Sequence, residues 1–459
     1  MSEGAPAEPS ATIRALLVKV GSFEPASRLG RGALWSVLAG ASTQVLAFVA
    51  SVVVARLLGG QLFGELAIIR STALAFATFA AFGIGLTATK LVAETRFAAP
   101  RRTGRIIPLA VGASVLSGGA AACLVFFLSP VLATRVLDTA HLADLIRVGS
   151  LLLLFTTVSF AQTGVLAGFE AFKELAVVNT LAGAASIAAV VTGTWFGGLE
   201  GAVWGTVVGI AVHCALNHRA ILRQSRAHAI CLEYAACVGE WRAATAVTLP
   251  IGLGNLLTAP SMWICHVLLV GQPGGYVHMA VLNVATQWRS AVLFIPERLC
   301  QVALPMLSSL MAEGRASRFR RALMVHLILV GGVSLGLAVP LVLMSRWIMR
   351  LYGPDFVSGS DVICLLAASG VLLALSLVLE RTLVSLGRVW ARLVTQLFWT
   401  AVLLGLGALF VLRGGGATGL ALAVVVACAC QTVLSALLVW WTVRRLQGSA
   451  GAGGGDRDP

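Results

Sequence analysis

Charge is what this sequence has least of. Only 11% of its 459 residues are acidic or basic, against 58% hydrophobic residues and a mean hydropathy of +0.92. A soluble domain carries about a quarter charged residues, so a soluble globule is excluded. Cysteine motifs are missing as well. The nine cysteines lie mostly inside apolar runs, with no CxxC and no Cys/His cluster at metal-ligand spacing. Cys428 and Cys430, two apart on a helix, point to different faces. They read as small apolar fillers, and no metal, redox site or cofactor is expected. No GxxxxGK[ST] sequence is present, so the chain is not its own ATPase, and no soluble-type catalytic constellation supports an enzyme. His213, His266, His278 and His326 are scattered without an acid at fixed spacing and read as hydrogen-bonded or interfacial residues. Arg outnumbers Lys 30 to 3, which points to a GC-rich genome more than to a function.

Long apolar runs are what remains. A spanning helix needs about 20 apolar residues to cross ~30 Å of hydrocarbon. Runs bounded by charge or by Gly and Pro predict twelve spans, which makes the chain an all-α polytopic membrane protein. The first six cover residues 33–58, 66–88, 106–128, 148–168, 175–196 and 199–216. The second six cover 244–270, 277–304, 322–344, 362–383, 393–412 and 417–442.

The net charge of +14 is explained by where the basic residues fall. With both termini cytoplasmic, the inner segments hold 23 of the 33 Lys and Arg, the outer loops hold five and the spans five. Basic residues are retained on the cytoplasmic side, so the excess is topology and no nucleic-acid partner is needed. Residues 1–32 do not read as a cleavable signal peptide, because the first apolar run is 26 long and no export-type cleavage site follows it. Ile13, Leu16, Leu17 and Val20 recur at helical spacing, as in a short helix on the inner leaflet, although a frayed tail fits equally. Residues 444–459 form a C-terminal tail, Gly-rich from Gly448 and expected to be disordered.

The two halves repeat each other weakly. Gly168 and Gly201 are 33 apart, as Gly387 and Gly419 are 32 apart, and Leu58-Gly59 with Gly64 has its counterpart in Val270-Gly271 with Gly275. Repeats of the same orientation imply a pseudo-twofold axis along the membrane normal and a cavity between two lobes. The lobes would be residues 33–216 and 244–443, joined by a basic cytoplasmic loop over 217–243.

Charged residues within spans are the functional candidates, because each costs roughly 2.5 to 3.5 kcal/mol on insertion scales. Arg289 stands twelve residues into the eighth span, with Asn283, Thr286, Gln287 and Ser290 recurring along one helix face. It reads as lining a substrate cavity or as pairing with a carboxylate such as Glu297 or Glu380. Arg70 and Arg56 lie near the outer interface, where they either snorkel or give the cavity a positive outer wall. Gln44 belongs to a small and polar stripe on the first span, which close helix packing also explains, and Asn255 to a polar face on the seventh. Pro250, Pro260 and Pro296 would let the seventh and eighth spans bend.

At this point the chain resembles the polysaccharide-biosynthesis transporters, the Wzx-type lipid-linked oligosaccharide flippases of the multidrug/oligosaccharidyl-lipid/polysaccharide exporter superfamily. The resemblance rests on Ala55-Arg56-Leu57-Leu58-Gly59, Phe63-Gly64, Phe82-Gly83-Ile84-Gly85, Leu253-Gly254-Asn255-Leu256-Leu257, Leu304-Pro305-Met306-Leu307-Ser308 and Tyr352-Gly353-Pro354-Asp355-Phe356. It implies a V-shaped two-lobe bundle in the bacterial inner membrane. That bundle would carry a polyprenyl-pyrophosphate-linked glycan from inner to outer leaflet, with membrane lipids, a polysaccharide polymerase and glycosyltransferases around it. Chemistry agrees, since Arg offers bidentate donors to phosphate oxygens. The rival readings are a lipid II flippase, a cation-coupled drug exporter, a sugar permease of the major facilitator type, and a scramblase or assembly partner. A drug exporter should carry carboxylates inside the lobes, and spans one and seven contain none. A lipid II flippase usually has fourteen helices. The permease signature needs Gly and Asp before Arg-x-Gly-Arg, and Arg102-Thr103-Gly104-Arg105 stands without the acid.

Overall fold

The computed structural model describes residues 24–242, 244–245, 248, 252, 258–312, 316–386 and 388–452. Side chains are described at all of these except 24–43, 258, 301–312, 316–317, 389 and 445–452. The expectations for residues 1–23, Pro250 and Asn255 lie outside the described residues.

Among the described residues the fold is helical throughout, with no strand. The helices are α1 (Glu24–Ala81), α2 (Ile84–Thr95), α3 (Pro100–Val131), α4 (Leu142–Gly168), α5 (Phe172–Ala227) and α6 (Thr258–Val270). They continue with α7 (Gly275–Ala312), α8 (Ala316–Leu343), α9 (Ser345–Tyr352), α10 (Ser360–Ser385), α11 (Val389–Phe410) and α12 (Gly416–Ala452). Among the described residues seven stretches are long and apolar enough to cross a membrane.

Glycine breaks the two longest helices. The 58-residue α1 turns sharply at Gly59 (φ 75°, ψ 174°), and the 56-residue α5 does so at Gly198 (φ 55°, ψ −131°). A positive φ is open to glycine at little steric cost and unfavourable for residues with a Cβ, so Leu58-Gly59 marks a corner in the chain. The sixth-span expectation ended at 216, yet α5 continues to Ala227. Past it, the Glu233 amide donates to the Gly104 carbonyl (2.9 Å), and Arg105 and Arg102 reach Glu233 (2.6 Å) and Glu240 (2.9 Å). The start of the connection is therefore helix, and its continuation is fastened to the first turns of α3.

A continuous buried cluster runs through the first and second halves of the chain, from Leu66, Ile68 and Ile69 on α1 to Val281 on α7 and Ile363 on α10. α1 packs on α4 and α5 and also against α7, while α7 packs on α10. The α1–α7 contact is close because Gly64 has no side chain: a Cβ there would run into the Tyr276 carbonyl.

Candidate functional site

Two neighbouring cavities lie where α1, α4, α5, α6 and α7 meet. The larger, about 980 Å³, is lined by Ser71 and Thr78 on α1, Ser159 and Phe160 on α4, His213 on α5, His266 on α6 and Arg289 on α7, among others. The smaller, about 310 Å³, is lined by Arg70 on α1, Ser186 on α5, and Asn283, Thr286 and Gln287 on α7. Thr286 faces both, so one polar stripe of α7 divides the two spaces. The helical spacing that singled out 283, 286, 287 and 290 thus places three of those residues at cavities, while Ser290 is exposed and bonds back to the Thr286 carbonyl (3.1 Å).

Electrostatically both cavities are one-sided. Among the described residues no Asp or Glu lines either, and each has an arginine. Arg289 forms no ion pair or hydrogen bond among the described residues, and its buried Nε has no partner. Glu380, a conceivable counter-ion, is instead held by Arg392 (3.3 Å) and Gln431 (2.8 Å). Arg70 donates from Nη2 to Thr206 Oγ1 at 2.7 Å, and its Nε is also buried without a partner. A buried donor left unpaired is costly, and a guanidinium facing a cavity free of acids has donors suited to an anion.

Histidines and aromatics fix this frame. His266 Nδ1 pairs with Ser71 Oγ (2.7 Å), and Trp263 Nε1 donates to Thr72 Oγ1 (2.9 Å), both joining α6 to α1. Phe48 stacks on Trp288 at 4.2 Å, joining α1 to α7. Gln44 lies one turn before Ala47, which lines the smaller cavity. Pro260 sits near the start of α6, and α7 is continuous through buried Pro296.

Arg56 is placed elsewhere. It lines a separate depression of about 440 Å³ with Arg350, Tyr352 and Asp355. Its Nε donates to the Leu351 carbonyl (2.6 Å) and its Nη2 to that of Arg350 (3.4 Å). Beside it the Gly60 amide donates to Asp355 Oδ2 (2.9 Å), and the Phe63 and Phe356 rings meet edge to face at 6.0 Å. Tyr276 adds a hydrogen bond from its hydroxyl to the Leu137 carbonyl (2.9 Å) and shares another with Thr139 (2.7 Å). Residues 56–63 and 350–356, nearly 300 positions apart, thereby form a clasp at one end of the bundle. Sequence reasoning missed its neighbour Glu65, buried and bonded to His141 (2.9 Å) and Gln61 (3.2 Å). An acid at the edge of an apolar run with its partner 76 positions away gives no spacing signal.

Comparison with known proteins gives the same class. The model of the polysaccharide biosynthesis protein family matches residues 29–311. The chain is 25% identical to the EPS I polysaccharide export inner membrane protein EpsE of Ralstonia nicotianae, over 95% of this chain and 96% of that one. The EpsE of Ralstonia solanacearum is 29% identical over 46% of this chain and 47% of its own length. Among solved structures, an inward-facing multidrug resistance MATE transporter of the MOP superfamily superimposes with a TM-score of 0.72, at 15% identity over 90% of this chain and 96% of that one. The lipid II flippase MurJ in an inward closed conformation gives 0.70, at 14% identity over 90% and 89%. At such identities these two show a shared fold.

Proposed function

The chain belongs to the polysaccharide biosynthesis protein family, a multi-pass inner-membrane transporter of the MOP superfamily, and from that premise we propose that it flips a polyprenyl-pyrophosphate-linked glycan from the inner to the outer leaflet. One observation carries the reading: an acid-free cavity presents Arg289 with no partner among the described residues, beside a second cavity that presents Arg70. Arg289 is thirteen residues along α7 from Tyr276, about 20 Å at 1.5 Å per residue. A charge at that depth is tolerated when it faces a watery cavity or a ligand. A pyrophosphate is a compact anion of matching chemistry, and the glycan would occupy the hydroxyl-lined remainder while the prenyl chain stays in lipid.

A twelve-span, two-lobe arrangement with cytoplasmic termini is part of this proposal. Three of the seven apolar stretches are 38, 56 and 55 residues long, about twice what one crossing needs, and each contains a glycine in a non-helical conformation. Split there, and joined by α6 and α7, they supply twelve crossings. With this topology the Arg56–Asp355 clasp lies on the outer side, and the large cavity, lined further along by Gly83, Gly85 and Thr89, extends toward the cytoplasm. Transport then requires release of the clasp and closure below, with ligand affinity shifting the balance of states. A polymerase and glycosyltransferases are the expected neighbours in such a pathway.

The test is flipping of the lipid-linked glycan in reconstituted vesicles. Arg289→Ala should abolish it, and Arg289→Lys should keep part of it because charge is retained without the fork of donors. Unchanged flipping by a folded Arg289→Ala protein would remove the proposal.

A further inference from the structure

Most threonines on these helices return their hydroxyls to the carbonyl one turn back, as Thr72, Thr157, Thr194 and Thr206 do. Thr156 and Thr163 on α4 do not. Neither hydroxyl bonds any described residue, and both line the larger cavity. With Ser159 and Phe160 they occupy positions i, i+3, i+4 and i+7, one face of the helix. Phe160 is 40% exposed although it stands in the middle of a membrane-length helix, and it too lines the cavity.

α5 supplies the complement. Asn179 Oδ1 is 3.1 Å from His213 Nε2, and His213 Nδ1 is 3.1 Å from Ser159 Oγ. An amide oxygen only accepts, so Nε2 donates to Asn179, and Nδ1 shares a hydrogen bond with the serine hydroxyl. This chain spends the acceptor side of Asn179. The amide NH2 of Asn179 makes no hydrogen bond among the described residues, and Asn179 is exposed at the cavity. The α4–α5 side therefore offers amide donors, free hydroxyls and an aromatic ring, all uncharged, while the cation Arg289 comes from α7.

We infer that this α4–α5 face is a sugar-binding subsite, in which Asn179, Thr156 and Thr163 hydrogen-bond sugar hydroxyls and Phe160 packs against a pyranose ring. Neutral hydroxyls need placed donors and acceptors without charge, and the C–H face of a sugar packs on an aromatic ring. The anionic link stays with Arg289. The inference rests on the lipid-linked glycan reading above, and it assigns the glycan and the pyrophosphate to different helices of one cavity.

Two probes separate these parts: undecaprenyl pyrophosphate, which has no sugar, and the glycan-bearing lipid extracted from cells depleted of this protein. Binding of both to the purified full chain is measured. The wild type should prefer the glycan lipid. Asn179→Ala, Phe160→Ala and Thr163→Val should each reduce that preference about three- to tenfold, the size of one or two lost contacts, and leave undecaprenyl pyrophosphate binding unchanged. Thr163→Val keeps shape and leaves the Ser159–His213–Asn179 chain intact, so it remains informative if the other variants misfold. Arg289→Ala should weaken both ligands. An undiminished preference in folded variants, or equal loss for both probes, would overturn the subsite and leave α4–α5 contacts as packing. A wild type that binds both equally would also overturn it while sparing the flippase reading. A wild type that binds neither would overturn both.

Discussion

Arg289 and Arg70 differ in how their guanidinium groups are held. Arg70 is steered by Thr206, whose own hydroxyl bonds the Ala202 carbonyl at 2.8 Å, so the side chain is pre-oriented across α1 and α5. Thr206→Val removes that steering and leaves the charge. It should lower transport several-fold, since one hydrogen bond is worth about 1 kcal/mol net, whereas Arg70→Ala should lower it further in the same vesicle assay. Glu380 shows the opposite use of charge. Its carboxylate serves Arg392 and Gln431 and is 7% exposed. Glu380→Ala leaves buried Gln431 short of an acceptor, and a loss of about 1–3 kcal/mol is expected, read as a lowered midpoint of thermal unfolding in detergent. Of these residues, the sequence marked Arg70 and Arg289 because a charge inside an apolar run stands out. It gave no hint of Thr206 or Asn179, since hydroxyls and amides occur throughout such helices and only the third dimension selects among them.

Between elements, the decisive contacts join α1 to the segment from α9 to Phe356. Two motifs that carried the family resemblance, around Arg56 and around Asp355, meet in space across this junction. The sequence displayed both pieces and not their contact, because no periodicity links positions 295 apart. A Cβ built on Gly60 would lie 2.9 Å from Asp355 Cβ. Disulfides have Cβ atoms about 3.8 Å apart, so Gly60→Cys with Asp355→Cys, in a background lacking the nine native cysteines, requires only a small separation. Oxidation should form the cross-link and stop flipping, and a reductant should restore it. Full transport by the cross-linked protein would mean that this junction stays shut throughout the cycle. Gly64 gives a second expectation. Gly64→Val drives a branched side chain into the Tyr276 backbone, and the protein should fail to yield a monodisperse peak in size-exclusion chromatography.

At the scale of the molecule, hydropathy made the helical membrane class legible, while the glycine breaks at Gly59, Gly198 and Gly414 leave pairs of expected spans joined in single long apolar stretches. What hydropathy could not reveal was that the polar residues split into two adjoining spaces and a distant clasp, because a one-dimensional stripe carries no depth. If the clasp closes the outer side, Thr163→Cys in the cysteine-free background should react with an impermeant thiol reagent in inside-out vesicles and not in right-side-out ones. Labelling from both sides would show that the clasp is no barrier. The clasp has one further consequence for how such proteins diverge. Arg56 grips main-chain carbonyls and Asp355 grips a main-chain amide, so neither depends on the identity of the side chain opposite. Relatives could exchange either residue without a matching change in its partner, and a hunt for coevolving pairs would pass over this seam between segments nearly 300 positions apart.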